Sequence, residues 1–75
     1  MESRYPTVIE WSEEDHAYIA LVPDLPGCFA DGKTREGAAR NAERVIREWI
    51  ETARHEGRLI PSPSLHLALA MSGKG

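Results

Sequence analysis

The chain has 75 residues, and its twelve acidic and nine basic side chains give a formal net charge of −3. Hydrophobic residues make up 41% of the chain and charged residues 28%. This composition is ordinary for a folded domain and excludes a disordered tail. The single cysteine excludes both a disulfide framework and a cysteine-based zinc site.

The composition also limits the partners of the chain. A free-standing nucleic-acid binder normally carries a basic surplus, so an acidic chain is better matched to a basic protein, and we expect no direct DNA binding. No apolar run approaches the roughly 20 residues that span a bilayer, and the N-terminus lacks a signal-peptide pattern, so we expect no membrane partner. The lone Cys28 fits a reduced, cytoplasmic setting.

The small size of the chain predicts self-association. A domain of this length buries only about 60% of the surface that its unfolded chain exposes, so its stability as a monomer should be marginal. Because the sequence offers neither a disulfide nor a zinc site as added support, association with copies of itself is the remaining stabilising device. We therefore expect an oligomer.

The first two elements are predicted to form an antiparallel β-hairpin. Aromatic and β-branched residues alternate from Tyr5 to Trp11, a polar turn follows, and a second apolar run extends from His16 to Val22. Successive strand residues point to opposite faces, and in the second run the residues of both faces are mainly apolar. We therefore expect both faces of the sheet to be covered, one by a helix of the same chain and the other by a second subunit.

A turn rich in proline and glycine ends the second strand. This motif turn consists of Pro23, Asp24, Leu25, Pro26 and Gly27. Its prolines remove donors from the strand ladder, and Gly27 permits a positive φ. Two interpretations stay open, since the turn either shapes the sheet edge, with Asp24 orienting it, or faces a partner. Residues 28–30 then predict a short third strand.

The strongest pattern in the sequence is that of an amphipathic helix. Thr34 is suited to cap its N-terminus, and Gly57 supplies a left-handed stop at its end. Apolar residues recur at spacings of three and four and form one stripe: Ala38, Ala42, Val45, Ile46, Trp49, Ile50 and Ala53.

Residues Leu65 to Met71 alternate between larger apolar residues and His66, Ala68 or Ala70, which favours a fourth strand over a short terminal helix. The order of elements is then β-β-β-α-β. It predicts an α+β sandwich with a mainly antiparallel sheet and one helix packed on one face. We expect residues 1–75 to form a single domain.

Residues 27–34 read G-C-F-A-D-G-K-T and satisfy the phosphate-loop pattern, with the predicted helix directly after them. In such a site the backbone amides and the lysine hold phosphates, and the threonine hydroxyl binds magnesium. However, the C-F-A segment favours a strand, and the chain has no room for the parallel sheet that carries such sites. We favour a strand, a turn and a capped helix, and keep nucleotide or phosphate binding through Gly27 to Thr34 as an alternative function.

The acidic residues are weak candidates for a metal-dependent nuclease site. A two-metal nuclease site needs several converging carboxylates. Glu10 with Glu43 or Glu48 would need a third carboxylate, and residues 65–71 contain none. We therefore predict no catalytic residues, metal ligands or cofactor.

Trp11 and Trp49 could stack on bases. Each lies among the apolar positions of its predicted strand or helix, which favours contact with the core or with another subunit.

Several runs of the chain resemble the HicB antitoxin family. The first is Y-I-A-L-V-P-D-L-P-G-C, residues 18–28, and the second is A-D-G-x-T-R-E-x-A, residues 30–38. Asn41, the segment around Trp49 and the run G-x-x-I-P-x-P-S, residues 57–64, also match. The resemblance extends from about Tyr5 to Ser64, which is most of the chain.

The resemblance implies a prokaryotic toxin–antitoxin role. HicB proteins carry an N-terminal domain with a partial ribonuclease H-like fold that associates into dimers or tetramers. That domain masks the small basic HicA toxin, which cleaves mRNA. HicB antitoxins usually continue into a C-terminal DNA-binding domain, but this chain ends soon after Ser64, so we expect no such domain here. We also keep open an orphan oligomeric domain with another protein partner.

Overall fold

A computed structural model describes residues 4–63 as three β-strands followed by one long helix. The elements are β1 (Val8–Ser12), β2 (Ala17–Leu21), β3 (Phe29–Gly32) and α1 (Arg35–His55). The strands form one sheet in the order β1-β2-β3, and both neighbouring pairs are antiparallel. This confirms the predicted α+β class. The predicted fourth strand, Leu65–Met71, lies outside the described residues, and the partial ribonuclease H-like assignment stays a prediction.

The strand boundaries differ from the predicted ones for local reasons. β1 begins at Val8 and not at Tyr5, because Pro6 has no N–H with which to join a strand ladder. β2 begins at Ala17, since His16 has a φ of 51° and turns the backbone out of the extended region. β3 continues past the predicted end at residue 30, because Gly32 still pairs with β2.

The helix packs on one face of the sheet through small side chains. Ala20 and Ala30 are paired neighbours on β2 and β3, and they lie against Ala38 and Ala42 of α1. All four are 8% exposed or less. Alanine at each contact lets the helix approach the sheet closely. Larger side chains pack around this cluster at its margins: Ile9, Tyr18 and Val45.

A second core cluster fills the other end of the interface between helix and sheet. Its buried members are Val22, Leu25, Cys28 and Ile46. Burying a leucine or isoleucine side chain stabilises a fold by about 1.5–3 kcal/mol. The largest fully buried side chains, Leu25, Ile46 and Val22, all lie in this cluster, so it is the main contribution of large apolar residues to stability. Tyr5 packs against it, and the Tyr5 hydroxyl donates a hydrogen bond to the carbonyl of Pro61. That bond ties the N-terminal segment to the segment that follows the helix.

Both ends of α1 are capped. The Thr34 hydroxyl oxygen accepts a hydrogen bond of 2.9 Å from the backbone N–H of Gly37. At the other end Gly57 has a φ of 71°, and the N–H of Arg58 donates to the carbonyl of Ala53 at 2.8 Å, which is the Schellman arrangement. Within residues 4–63 no helix is long and apolar enough to cross a bilayer.

The N-cap of α1 gives a stability prediction. Thr34→Ala removes the acceptor for the Gly37 N–H, and we expect it to lower the free energy of unfolding by about 1 kcal/mol. Urea unfolding followed by circular dichroism measures the change. Thr52→Ala is the matched control, because Thr52 is an exposed residue inside the helix. It should be neutral or slightly stabilising, and equal losses at both positions would contradict the capping role.

Candidate protein-binding surface

The motif turn is a compact loop closed by three backbone hydrogen bonds. The N–H of Val22 donates to the carbonyl of Cys28, that of Leu25 to Val22, and that of Cys28 to Leu25, each at 3.0 Å. The loop therefore begins and ends as a continuation of the β2–β3 ladder. Gly27 has a φ of 77°, in the left-handed region that glycine adopts without strain. The positive φ that the sequence analysis allowed at Gly27 is present.

Leu25 of the motif turn belongs to the core, together with the adjoining Cys28. The side chain of Leu25 is 1% exposed and that of Cys28 is 3% exposed. Trp49 on α1 packs beside them, and its indole N–H donates to the carbonyl of Pro26 at 2.9 Å. Burial raises the pKa of the Cys28 thiol, so the thiol stays protonated at neutral pH and is a poor nucleophile. These contacts make Leu25 and Cys28 structural residues.

The remaining residues of the motif turn are exposed or half-buried. Pro23, Pro26 and Gly27 are exposed, and Asp24 is half-buried. The backbone bonds already fix the turn, so its exposed prolines present a preordered apolar surface at low entropic cost. The contacts support the structural interpretation for Leu25, whereas contact of the exposed residues with a partner stays a prediction.

The sheet face opposite α1 carries an apolar row beside the motif turn. We call this side of the sheet the outer face. Cross-strand pairing places Leu21 of β2 between Val8 of β1 and Phe29 of β3. Leu21 is 51% exposed and Phe29 is 59% exposed, values that are high for such large apolar side chains. α1 covers the other side of the sheet, so no described element covers this row.

A shallow depression joins the outer face to the motif turn. It has a volume of about 220 Å³ and is lined by residues 21–23 and 25–29. Small-molecule sites usually enclose about 300–1,000 Å³, so this depression is small for a metabolite. An open apolar row with a preordered turn at its end has instead the character of a protein-binding surface.

The two tryptophans lie in different places. Trp49 packs against the core and the motif turn, as described above. Trp11 is 44% exposed and meets Tyr18 edge-on, with 5.1 Å between ring centroids. The guanidinium of Arg35, the first residue of α1, lies 5.3 Å from the centre of the Tyr18 ring. The tryptophan rings thus lie toward opposite ends of α1 and form no shared stacking platform. Subunit contact through Trp11 stays a prediction.

The segment that resembles a phosphate loop is mostly a strand. Phe29–Gly32 is β3, paired along its length with β2, so its backbone amides do not curl around an anion. The Thr34 hydroxyl, which would bind magnesium in a phosphate site, accepts from Gly37 instead. The geometry agrees with the strand, turn and capped helix that the sequence analysis favoured, and nothing in it supports nucleotide binding.

The carboxylates considered for a nuclease site point to opposite sides of the sheet. Ile9 contacts the core beneath α1, so the neighbouring Glu10 lies on the outer face. Glu43 and Glu48 are carried by α1 on the other side. Within residues 4–63, no three His, Cys, Asp or Glu side chains lie close enough together to hold a metal ion.

Comparison with protein families decides where the chain belongs. The model of a HicB-like antitoxin of bacterial toxin–antitoxin systems matches residues 5–72, nearly the whole chain. The chain belongs to the HicB-like antitoxin family. The resemblance found in the sequence is therefore confirmed, and the general role of the family is that of an antitoxin. No solved structure matches the chain.

Curated relatives of this HicB-like chain agree with the family match. A UPF0150 protein of Thermoplasma acidophilum is 44% identical over 55 residues, which are 73% of this chain and 80% of the relative. A UPF0150 protein of Thermotoga maritima is 33% identical over 52 residues, 69% of each chain. An uncharacterised 14.9 kDa protein of Haemophilus phage HP1 is 37% identical over 57 residues, which are 76% of this chain but 41% of the phage protein.

Two residues of this HicB-like domain have roles that the sequence analysis did not assign. Phe29 was placed in a strand without a face, and only its pairing with Leu21 shows that it points outward. Asn41 was part of the family resemblance alone. Its side-chain N–H donates to the carbonyl of Asp31 at 2.7 Å, and this bond attaches α1 to β3 at the edge of the three-stranded sheet.

Proposed function

We propose that the chain is a non-enzymatic antitoxin domain that occludes a small basic, mRNA-cleaving toxin of the HicA type. The observation that carries this proposal is the open apolar row of the outer face, continuous with the exposed residues of the motif turn, on a chain of an antitoxin family. Large exposed apolar side chains beside an ordered turn are typical of protein interfaces. Occlusion requires only such a surface and no catalytic group.

The charge of the chain supports a basic partner. The net charge is −3, and three of the acidic residues, Glu13, Glu14 and Asp15, are exposed together in the turn between β1 and β2. Ser12 holds this turn, since its hydroxyl donates to the Asp15 carboxylate at 3.0 Å and accepts from the Asp15 N–H at 3.2 Å. Fixed negative charge raises the rate at which a basic protein associates and favours the correct partner.

Self-association into a dimer or tetramer in the cytoplasm is a further part of the proposal. The small core supports it, as does the exposure of apolar side chains away from the outer face. Leu59, which follows α1, is 93% exposed, and Trp11 is 44% exposed. Light scattering on the isolated chain tests this part, and a stable monomer at micromolar concentration would contradict it.

The central experiment is co-expression and co-purification of this chain with a small basic protein of the HicA type. We expect a stable complex in which cleavage of mRNA is lost, because the antitoxin covers the toxin's active surface. An unrelated basic ribonuclease is the control, and its activity should be unchanged by this chain. Failure to form a complex, or full ribonuclease activity within the complex, would contradict the proposed function.

A further inference from the structure

The outer face has a second row of side chains next to the apolar one. Cross-strand pairing places Ile19 of β2 between Glu10 of β1 and Asp31 of β3. Ile19 is half-buried, whereas Glu10 and Asp31 are exposed. The outer face therefore combines an apolar row, Val8–Leu21–Phe29, with an adjacent row in which two carboxylates flank an isoleucine.

Neither carboxylate is neutralised within the described part of the domain. Glu10 and Asp31 have no ion-pair partner among residues 4–63. The alternation along the strands places no lysine or arginine on the outer face. The exposed arginines within the described elements are carried by α1, on the opposite side of the sheet. Within the three strands the outer face is thus apolar at one end and anionic at its flanks, and the nearest lysine along the chain, Lys33, follows the end of β3.

This charge pattern disfavours a second copy as the occupant. In a two-fold dimer the same patch meets itself. Within the described strands the outer face carries no cation, so a two-fold contact between these strands would leave Glu10 and Asp31 without an opposite charge from the strands of the other copy. Four carboxylates would be partly desolvated without compensation, and like charges across an interface are repulsive. A second subunit on this face, which the apolar second strand predicted, is therefore not favoured by the geometry.

We infer that the outer face is the toxin-docking surface, and that it takes a partner whose contact patch has an apolar centre bordered by lysine or arginine. This inference rests on the proposed antitoxin function and assigns it to particular residues. Phe29 and Leu21 supply the apolar contact, and the carboxylates of Glu10 and Asp31 pair with the basic border. Self-association then uses other surfaces of the chain.

The two rows make different contributions to binding. Large apolar side chains that become fully buried at the centre of an interface carry most of its affinity. Flanking charges act mainly on the association rate and on its dependence on salt. Removal of the apolar row should therefore raise the dissociation rate, whereas reversal of the two carboxylates should slow association and weaken the salt dependence.

The experiment measures binding of the purified basic HicA-type protein to variants of the full chain. Phe29→Thr and Leu21→Thr introduce a β-branched residue, which is suited to a strand, and each should raise Kd about 30-fold or more, the level of an interface hot spot. The double variant Glu10→Lys/Asp31→Lys should lower the association rate about 10-fold at low salt and reduce its salt dependence. Thermal unfolding of each variant verifies that the domain is folded.

Glu48→Lys/Glu51→Lys is the matched control, because it changes the net charge equally on exposed positions of α1. Its binding should stay close to that of the unchanged chain. If the unchanged chain binds no toxin, both the proposed function and this inference fail. If the unchanged chain binds but the folded Phe29 and Leu21 variants bind equally well, only the inference fails. A loss of self-association in those variants with unaltered toxin binding would assign the outer face to a second copy and also overturn it.

Discussion

Replacing Gly32 with alanine should lower the free energy of unfolding by about 3 kcal/mol, at the upper end of the range for overpacking a core. Gly32 lies at the end of β3, directly beneath the first turn of α1. A Cβ atom added there would lie 2.4 Å from the backbone nitrogen of Ala38 and 2.7 Å from the carbonyl carbon of Gly37. Both contacts are with backbone, so no side-chain rotation can relieve them.

The expected loss is large relative to the whole stability of the chain. Domains are typically stable by about 0.05–0.15 kcal/mol per residue, or about 4–11 kcal/mol for a chain of this length. To accept the new methyl group, α1 must move away from β3, and that movement opens the alanine contacts of the first core cluster. Urea unfolding should show a much lower midpoint, and the purified variant should aggregate more readily.

Gly57→Ala is the control for a glycine replacement without a clash. Gly57 has a φ of 71°, but an added Cβ would meet nothing within 4 Å. The substitution should cost about 1 kcal/mol through backbone strain alone. A Gly32→Ala variant as stable as Gly57→Ala would show that α1 does not pack on the end of β3 as closely as described.

The helix could be predicted from the sequence because all of its signals are local. Ala38, Ala42 and Ile46 recur at a spacing of four, and each is 1% exposed or less. The capping hydroxyl of Thr34 and the left-handed Gly57 act on residues within four positions of them along the chain. Such signals need no knowledge of the rest of the fold.

The outer face could not be predicted in the same way, because it depends on strand register. A shift of one residue in the pairing of β3 would turn Phe29 inward and Ala30 outward. The sequence predicted a short strand at residues 28–30 but contained no local signal that paired Phe29 with Leu21. The flanking carboxylates Glu10 and Asp31 are 21 positions apart in the numbering and become neighbours of Ile19 only through that register.

The motif turn shows why a sequence motif alone did not distinguish structure from binding. Leu25 and Pro26 are adjacent in the chain, yet the side chain of Leu25 lies in the core while Pro26 is exposed. The carbonyl of Pro26 nevertheless accepts from Trp49, 23 positions away. Whether a turn residue points inward depends on such distant contacts, which a linear pattern does not contain.

Replacing Leu25 with alanine should cost about 2–5 kcal/mol, because a leucine in a filled core leaves a cavity when it is truncated. Leu25 is 1% exposed and contacts a cluster that includes Val22 and Ile46. The same change at Leu59, which is 93% exposed, should alter stability by no more than about 0.5 kcal/mol. Thermal and urea unfolding of the two variants compare identical substitutions at the two extremes of burial.

Leu25→Ala and Phe29→Thr together separate the structural part of the motif turn from the binding surface. Leu25→Ala should reduce toxin binding only as far as it reduces the folded fraction, so an osmolyte that restores folding should restore binding. Phe29→Thr should reduce binding with little loss of stability, and no osmolyte should recover it. If Leu25→Ala instead bound weakly while fully folded, Leu25 itself would have to contribute to the interface. The assignment of Leu25 to the core and of the exposed turn residues to the binding surface would then be wrong.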